Sequence, residues 1–152
     1  MEYMDASPDW TLLSRVREAL ALPGRDPRQL SPLVLAYVGD TVYDLYVRTR
    51  LILSTDATAH GLHMRAAGLV CAGAQAAAVR PILDRLTEEE LAVYKRGRNS
   101  HMGTVPKHAA IQDYRAATGL EALVGYLYLG GQDARLTELM ALLMRDEEKE
   151  HA

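Results

Sequence analysis

Apolar residues recur every three or four positions through most of this chain, the spacing of one face of an α-helix. Leu12, Leu13, Val16 and Leu20 form a first such face after Ser7-Pro8. "ALPGRDPRQLSP" then interrupts it with three prolines and a glycine. Ser31-Pro32 offers an N-cap followed by proline in the first turn, and predicts a helix running to about Leu53. Thr55-Asp56 can cap a third helix through "ATAHGLHMRAAGLVCAGAQAAAV", ended by Pro81. Thr87 with Glu90 matches a capping box opening "EEELAVYKRG". After the turn-rich stretch "RNSHMGTVPKHAA", a helix is predicted from about Ile111 to Leu129, stopped by Gly130-Gly131. Asp133 or Thr137 opens a last, Leu- and Met-rich helix. Strand-like alternation never persists. The pattern predicts one all-α domain of six or seven helices over residues 1–152, with 1–26 adding an N-terminal helix and 146–152 a frayed tail.

Composition refines this picture. Hydrophobic residues make up 49% of 152, enough for a real core, yet there is no Phe, so Leu, Ala, Val and Met must do the packing. Cys71 lies among small apolar residues and is expected to be buried. No 18-residue apolar run or leader is seen, so a soluble, cytoplasmic protein with no membrane partner is expected. The net charge of −3 requires any nucleic-acid surface to be built from locally clustered cations.

Two acids sit where acids are costly. Asp40 lies within "LAYVGDTVYDLYVRTR", beside Gly39 and among Tyr37, Val38, Val42 and Tyr43. A mid-helix glycine costs about 1 kcal/mol against alanine, and close approach of another helix would compensate. Asp44 is less unusual, because Arg48 one turn on can pair with it. Glu121 lies in "YRAATGLEALVGYLYLGG", with Thr118, Ala117, Val124 and Gly125 at helical spacing and no cation among them. An ionised carboxylate out of water needs a partner or a metal. Two readings stand: the acids share a divalent cation, Mg²⁺ by its oxygen ligands, or each reaches solvent at a groove edge.

The stretch from Tyr94 to Arg115 carries Lys95, Arg96, Arg98, Lys107 and Arg115 against one acid, Asp113. Such cations in a loop rich in small polar residues suit phosphate contacts and the shape recognition typical of duplex RNA. A merely solvated loop is the other reading. His101 and His108 lack partners at zinc spacing.

"LAYVGDTVYDLYV" resembles the signature helix of the ribonuclease III family, and "TGLEALVGYLYLGG" its second acidic helix. The similarity is greater to the short mini-ribonuclease III branch, which lacks a double-stranded-RNA-binding domain; "YKRGRNS" and "LHMRAAGLVCAGAQA" also match it. The resemblance spans roughly residues 27 to 145. It implies a ribonuclease III endonuclease-domain helical bundle that dimerises and cleaves double-stranded RNA with Mg²⁺, for which Mn²⁺ can substitute. By position, Asp40 and Glu121 become catalytic metal ligands, and products carry 5′-phosphate and 3′-hydroxyl ends.

Two family acids are absent here. The signature glutamate of longer ribonuclease III proteins falls on Ala36, and the second-helix aspartate on Thr118. Thr118, one turn before Glu121, is placed to orient a metal-bound water. Tyr37 occupies the position that plugs a socket on the partner subunit, unless it is an ordinary core tyrosine. Arg96, Arg98, Asn99 and Lys107 are the first candidates for RNA contact, with His101, Thr104 and Arg115 behind them. His63 and Gln75 are expected to be helix-packing polar groups. The resemblance implies as substrate the stem bracketing precursor 23S ribosomal RNA, which a ribosomal protein could present. The competing function is a non-catalytic, ribosome-associated RNA-binding relative, a class that typically loses the metal acids; Asp40 and Glu121 argue against it.

Overall fold

The computed structural model describes residues 10–100 and 110–145, and every regular element within them is helical. The elements run α1 (Leu12–Leu20), α2 (Pro32–Ser54), α3 (Ala59–Val70), α4 (Ala72–Val79), α5 (Glu88–Arg98), α6 (Ile111–Leu129) and α7 (Asp133–Leu143). Short 3₁₀ turns occupy Pro27–Gln29 and Arg80–Arg85. No single described helix is long and apolar enough to cross a membrane.

α6 is the hub. Every residue from Ala116 to Leu127 is buried except Glu121, so this helix is apolar all round and enclosed all round. α2, α4, α5 and α7 pack against it. α2 covers one flank with Leu35, Gly39, Val42, Tyr43, Val47 and Leu51. Its outward flank keeps Val34, Tyr37, Leu45 and Ile52 in solvent. α1 buries no residue and lies at the periphery.

Local chemistry explains most boundaries. Ser31 Oγ accepts from Val34 N, and Pro32 opens α2 as expected. The Thr87–Glu90 capping box is present in both directions, at 3.1 and 2.9 Å. α1 is capped by Thr11, whose hydroxyl accepts from Ser14 N. α7 starts at Asp133, which excludes Thr137 as its first residue.

Four expectations need correction. The third helix is two helices: Cys71 is extended at φ −68°, ψ 158°, and the segments on either side are bent by 58°. The cap of α3 is Thr58, whose hydroxyl accepts from Gly61 N, while Thr55 closes α2 by donating to the Leu51 carbonyl. Cys71 is exposed, because the break that frees α4 to pack on α6 turns the thiol outward. His63 is exposed as well, since α3 buries only Ala66. Gln75, by contrast, is buried at the α4 interface.

The periodic pattern gave no hint of one buried ion pair. Glu90 is 5% exposed, and its carboxylate accepts from Arg135 Nε and Nη2 on α7, each at 2.8 Å. Arg135 also donates to the Arg85 carbonyl, tying α5, α7 and the preceding turn together. Arg135 holds the Glu90 carboxyl below the usual range, against the opposing effect of burial. A lowered folded-state pKa means that this stabilisation is present above the unfolded value and is lost as pH falls through the folded one. Glu90→Gln should therefore cost about 3 kcal/mol at neutral pH. Urea unfolding of both proteins should show that gap closing as the medium is acidified.

Candidate active site

The site forms where α2 crosses α6. Gly39 and Gly125 let the two backbones meet. A Cβ at residue 39 would overlap the Glu121 carbonyl oxygen and stand 2.7 Å from its carbon. A Cβ at residue 125 would overlap the Leu35 carbonyl oxygen and stand 2.8 Å from Leu35 C. Neither neighbour is a side chain that could swing away. The helix approach anticipated at Gly39 is thus met on the partner helix by Gly125.

This crossing brings Asp40 and Glu121 together, although 80 positions of chain separate them. The Asp40 side chain is exposed and the Glu121 side chain half-buried, so the pair lies at the surface end of the crossing, within reach of solvent. The two carboxyl groups lie close enough for Asp40 to disfavour ionisation of Glu121. Burial, then the hydrogen bond to Asp40 and its charge, push Glu121 up to about 9. No basic side chain among the described residues offsets this. The two acids are neighbours, and among the described residues neither is paired with a lysine or arginine.

Among the described residues no group of three or more His, Cys, Asp or Glu side chains converges. Any cation held here would therefore draw on two carboxylates and find its remaining oxygens in water and substrate phosphate, a donor set that suits Mg²⁺. Thr118 is buried on the flank of α6 that meets α5, and its hydroxyl donates to the Tyr114 carbonyl at 3.0 Å.

A second close contact brings in the basic stretch. A Cβ at Gly97 would fall 2.8 Å from Ala122 Cβ and 2.9 Å from Gly119 Cα. A Cβ at Gly119 would fall 2.7 Å from the Tyr94 carbonyl oxygen. The last turn of α5, carrying Lys95, Arg96 and Arg98, is thereby fixed to the turn of α6 that carries Glu121. Arg96 and Asn99 are exposed. Arg98 lies 5.9 Å from the centre of the Tyr94 ring and donates to Asn99 Oδ1 at 3.3 Å. Arg115 is exposed on α6, and Asp113 beside it is paired with Arg80 at 2.8 Å. His101, Thr104 and Lys107 lie outside the described residues. Tyr37 is 83% exposed, which excludes a core tyrosine. The Asp44–Arg48 pair forms as expected, at 2.8 Å.

Two neighbouring carboxylates on a helical body are compatible with metal-assisted phosphodiester chemistry, and similarity to known proteins defines the class as a nuclease. The ribonuclease III domain model matches residues 33–132, and the chain belongs to that family as an endoribonuclease. Its relatives narrow this to the mini-ribonuclease 3 branch. The mini-ribonuclease 3 of Clostridium tetani is 47% identical over 121 residues, covering 79% of this chain and 80% of that one. That of Thermoanaerobacter sp. is 48% identical over 113 residues, 74% and 80% of the two chains. A crystal structure of a protein from Fusobacterium nucleatum superposes with a TM-score of 0.73 at 27% identity, covering 82% of this chain and 99% of that one.

The raised Glu121 value has a signed consequence. In cation-free protein, folding disfavours the ionised form, so stability is greatest below the unfolded pKa and declines as pH rises towards about 9. Glu121→Gln removes that decline. Thermal unfolding in EDTA at pH 6 and pH 8.5 should show the variant gaining on the native chain at the higher pH.

Proposed function

We propose that this chain is a Mg²⁺-dependent endoribonuclease that cleaves double-stranded RNA as a homodimer in the cytoplasm and matures precursor 23S ribosomal RNA. The observation that carries the reading is the Asp40–Glu121 pair, two neighbouring carboxyl groups with no cation among the described residues offsetting Glu121. The residues fit a hard divalent ion: the donors are oxygens only, and a positive charge would offset the burial and the neighbouring Asp40 that together disfavour ionised Glu121. Mn²⁺, with similar oxygen preference, can substitute.

When bound, such an ion supplies Lewis-acid stabilisation of charge on the scissile phosphate and lowers the pKa of the attacking water. The chain's residues do the rest. Asp40 and Glu121 would hold the ion at the α2–α6 crossing. Arg96, Arg98, Asn99 and Lys107 engage RNA phosphates and sugars, with His101, Thr104 and Arg115 at the edge of the same surface. Thr118 takes a supporting role beside Glu121. Water attacks phosphorus, the 3′ oxygen leaves, and the products carry 5′-phosphate and 3′-hydroxyl ends.

Tyr37 supports the dimer. A tyrosine 83% exposed on a helix whose neighbouring outward residues, Val34 and Leu45, are also apolar suits docking onto a second copy. A two-fold axis matches the symmetry of duplex RNA, so two sites can cut both strands. Selection of the precursor stem is assigned to the RNA surface together with a ribosomal protein that presents the substrate.

Two measurements test this. Asp40→Asn should lower cleavage of a long RNA duplex by about 1000-fold or more, equal to some 4 kcal/mol of transition-state stabilisation, while EDTA abolishes cleavage by the native chain. Persistent cutting by the folded variant would falsify the metal reading. Arg98→Ala should weaken duplex binding and reduce the magnitude of its log–log salt slope by about one. An unchanged slope would take Arg98 off the RNA surface.

A further inference from the structure

We propose that Gly125 is a positioning residue whose missing side chain fixes the α2–α6 separation and, through it, the span between the Asp40 and Glu121 carboxylates. This rests on the cation-binding reading of that pair. The two helices touch through backbone at two successive turns. Leu35 and Gly39 on α2 face Gly125 and Glu121 on α6. Asp40 follows Gly39 directly, and the Glu121 carbonyl is itself part of the contact. Both carboxylates therefore spring from the tightest place in the crossing.

A Cβ at residue 125 would overlap the Leu35 carbonyl and stand 3.2 Å from Gly39 N. Ordinary carbon contacts need about 3.5–4.0 Å. These obstacles are backbone atoms of a buried helix, so relief must come from parting the helices by on the order of 1 Å. Mg²⁺ demands near-octahedral ligation at about 2.0–2.1 Å, whereas Ca²⁺ accepts about 2.3–2.6 Å with flexible geometry. A misplacement of about 1 Å can cost about 100-fold in a catalytic site. Widening the crossing should therefore weaken Mg²⁺ more than Ca²⁺. General loosening of the fold would carry no such ion preference.

The test is calorimetric titration of Mg²⁺ and of Ca²⁺ into the full, RNA-free chain. Gly125→Ala should weaken Mg²⁺ binding by about tenfold or more, and Ca²⁺ binding by less than about threefold. Gly119→Ala is the matched control. It crowds α6 against the Tyr94 backbone of α5 and leaves the α2 contact untouched. It should lower Tm comparably while keeping Mg²⁺ affinity within about twofold. Leu35→Ala removes a side chain with 0% exposure beside the crossing and leaves the backbone contact in place. It too should keep Mg²⁺ affinity within about twofold, which separates loss of core packing from widening of the crossing. Unchanged Mg²⁺ affinity in Gly125→Ala, or a tenfold loss in Leu35→Ala, overturns the proposal. A native chain that binds neither ion overturns the cation reading itself, and is seen before any variant is compared.

Discussion

The contact of one helix backbone with another, at Gly39 and Gly125, is the constraint on which the remaining architecture depends. With any side chain at either position α2 would stand off from α6. α6 is enclosed from Ala116 to Leu127 partly because α2 can come so near. That enclosure withdraws water from Glu121, and the same crossing delivers Asp40 to it. Close packing and electrostatic strain at the site thus have one geometric origin.

α6 receives a second partner by the same means. Gly97 and Gly119 bring the last turn of α5 against the turn of α6 that carries Glu121. The acids and the cations of Lys95, Arg96 and Arg98 are therefore referenced to one helix rather than to separate loops. Arg80–Asp113 adds a tether between the turn after α4 and the first turn of α6. In the proposed nuclease, this shared reference fixes how far an RNA backbone gripped by α5 lies from the carboxylate pair. Sites carried by rigid elements hold their geometry better than sites carried by loops.

Much of this was legible in the chain, and what was not has physical reasons. Caps at Ser31 and Thr87 are read from local hydrogen-bond chemistry, and both form. The two acids stand out because a carboxylate in an apolar helix is costly wherever that helix packs. The break at Cys71 left no such mark: alanine and glycine on both sides are compatible with one helix or two, and only the demand that α4 lie against α6 decides it. The exposure of Cys71 goes with that undetected break, and that of His63 with an α3 that buries only Ala66. Partners across the fold, such as Gly125 for Gly39 or Arg135 for Glu90, have no signature in periodicity, because they depend on which faces meet.

Glu90 and Glu121 show why residue type alone cannot assign a role. Each is a glutamate largely withdrawn from water, and burial raises the pKa of both. At Glu90 the Arg135 guanidinium and the Thr87 amide more than offset burial, and the carboxyl falls below its usual range. At Glu121 the nearest charge is another carboxylate, which adds to burial and drives the value to about 9. The first arrangement completes itself within the protein and needs no further ligand. The second reaches electrostatic balance only by keeping a proton or by taking up a cation from outside. A fold that satisfies one glutamate with an arginine and leaves another beside an exposed aspartate separates structural charge from charge available for chemistry.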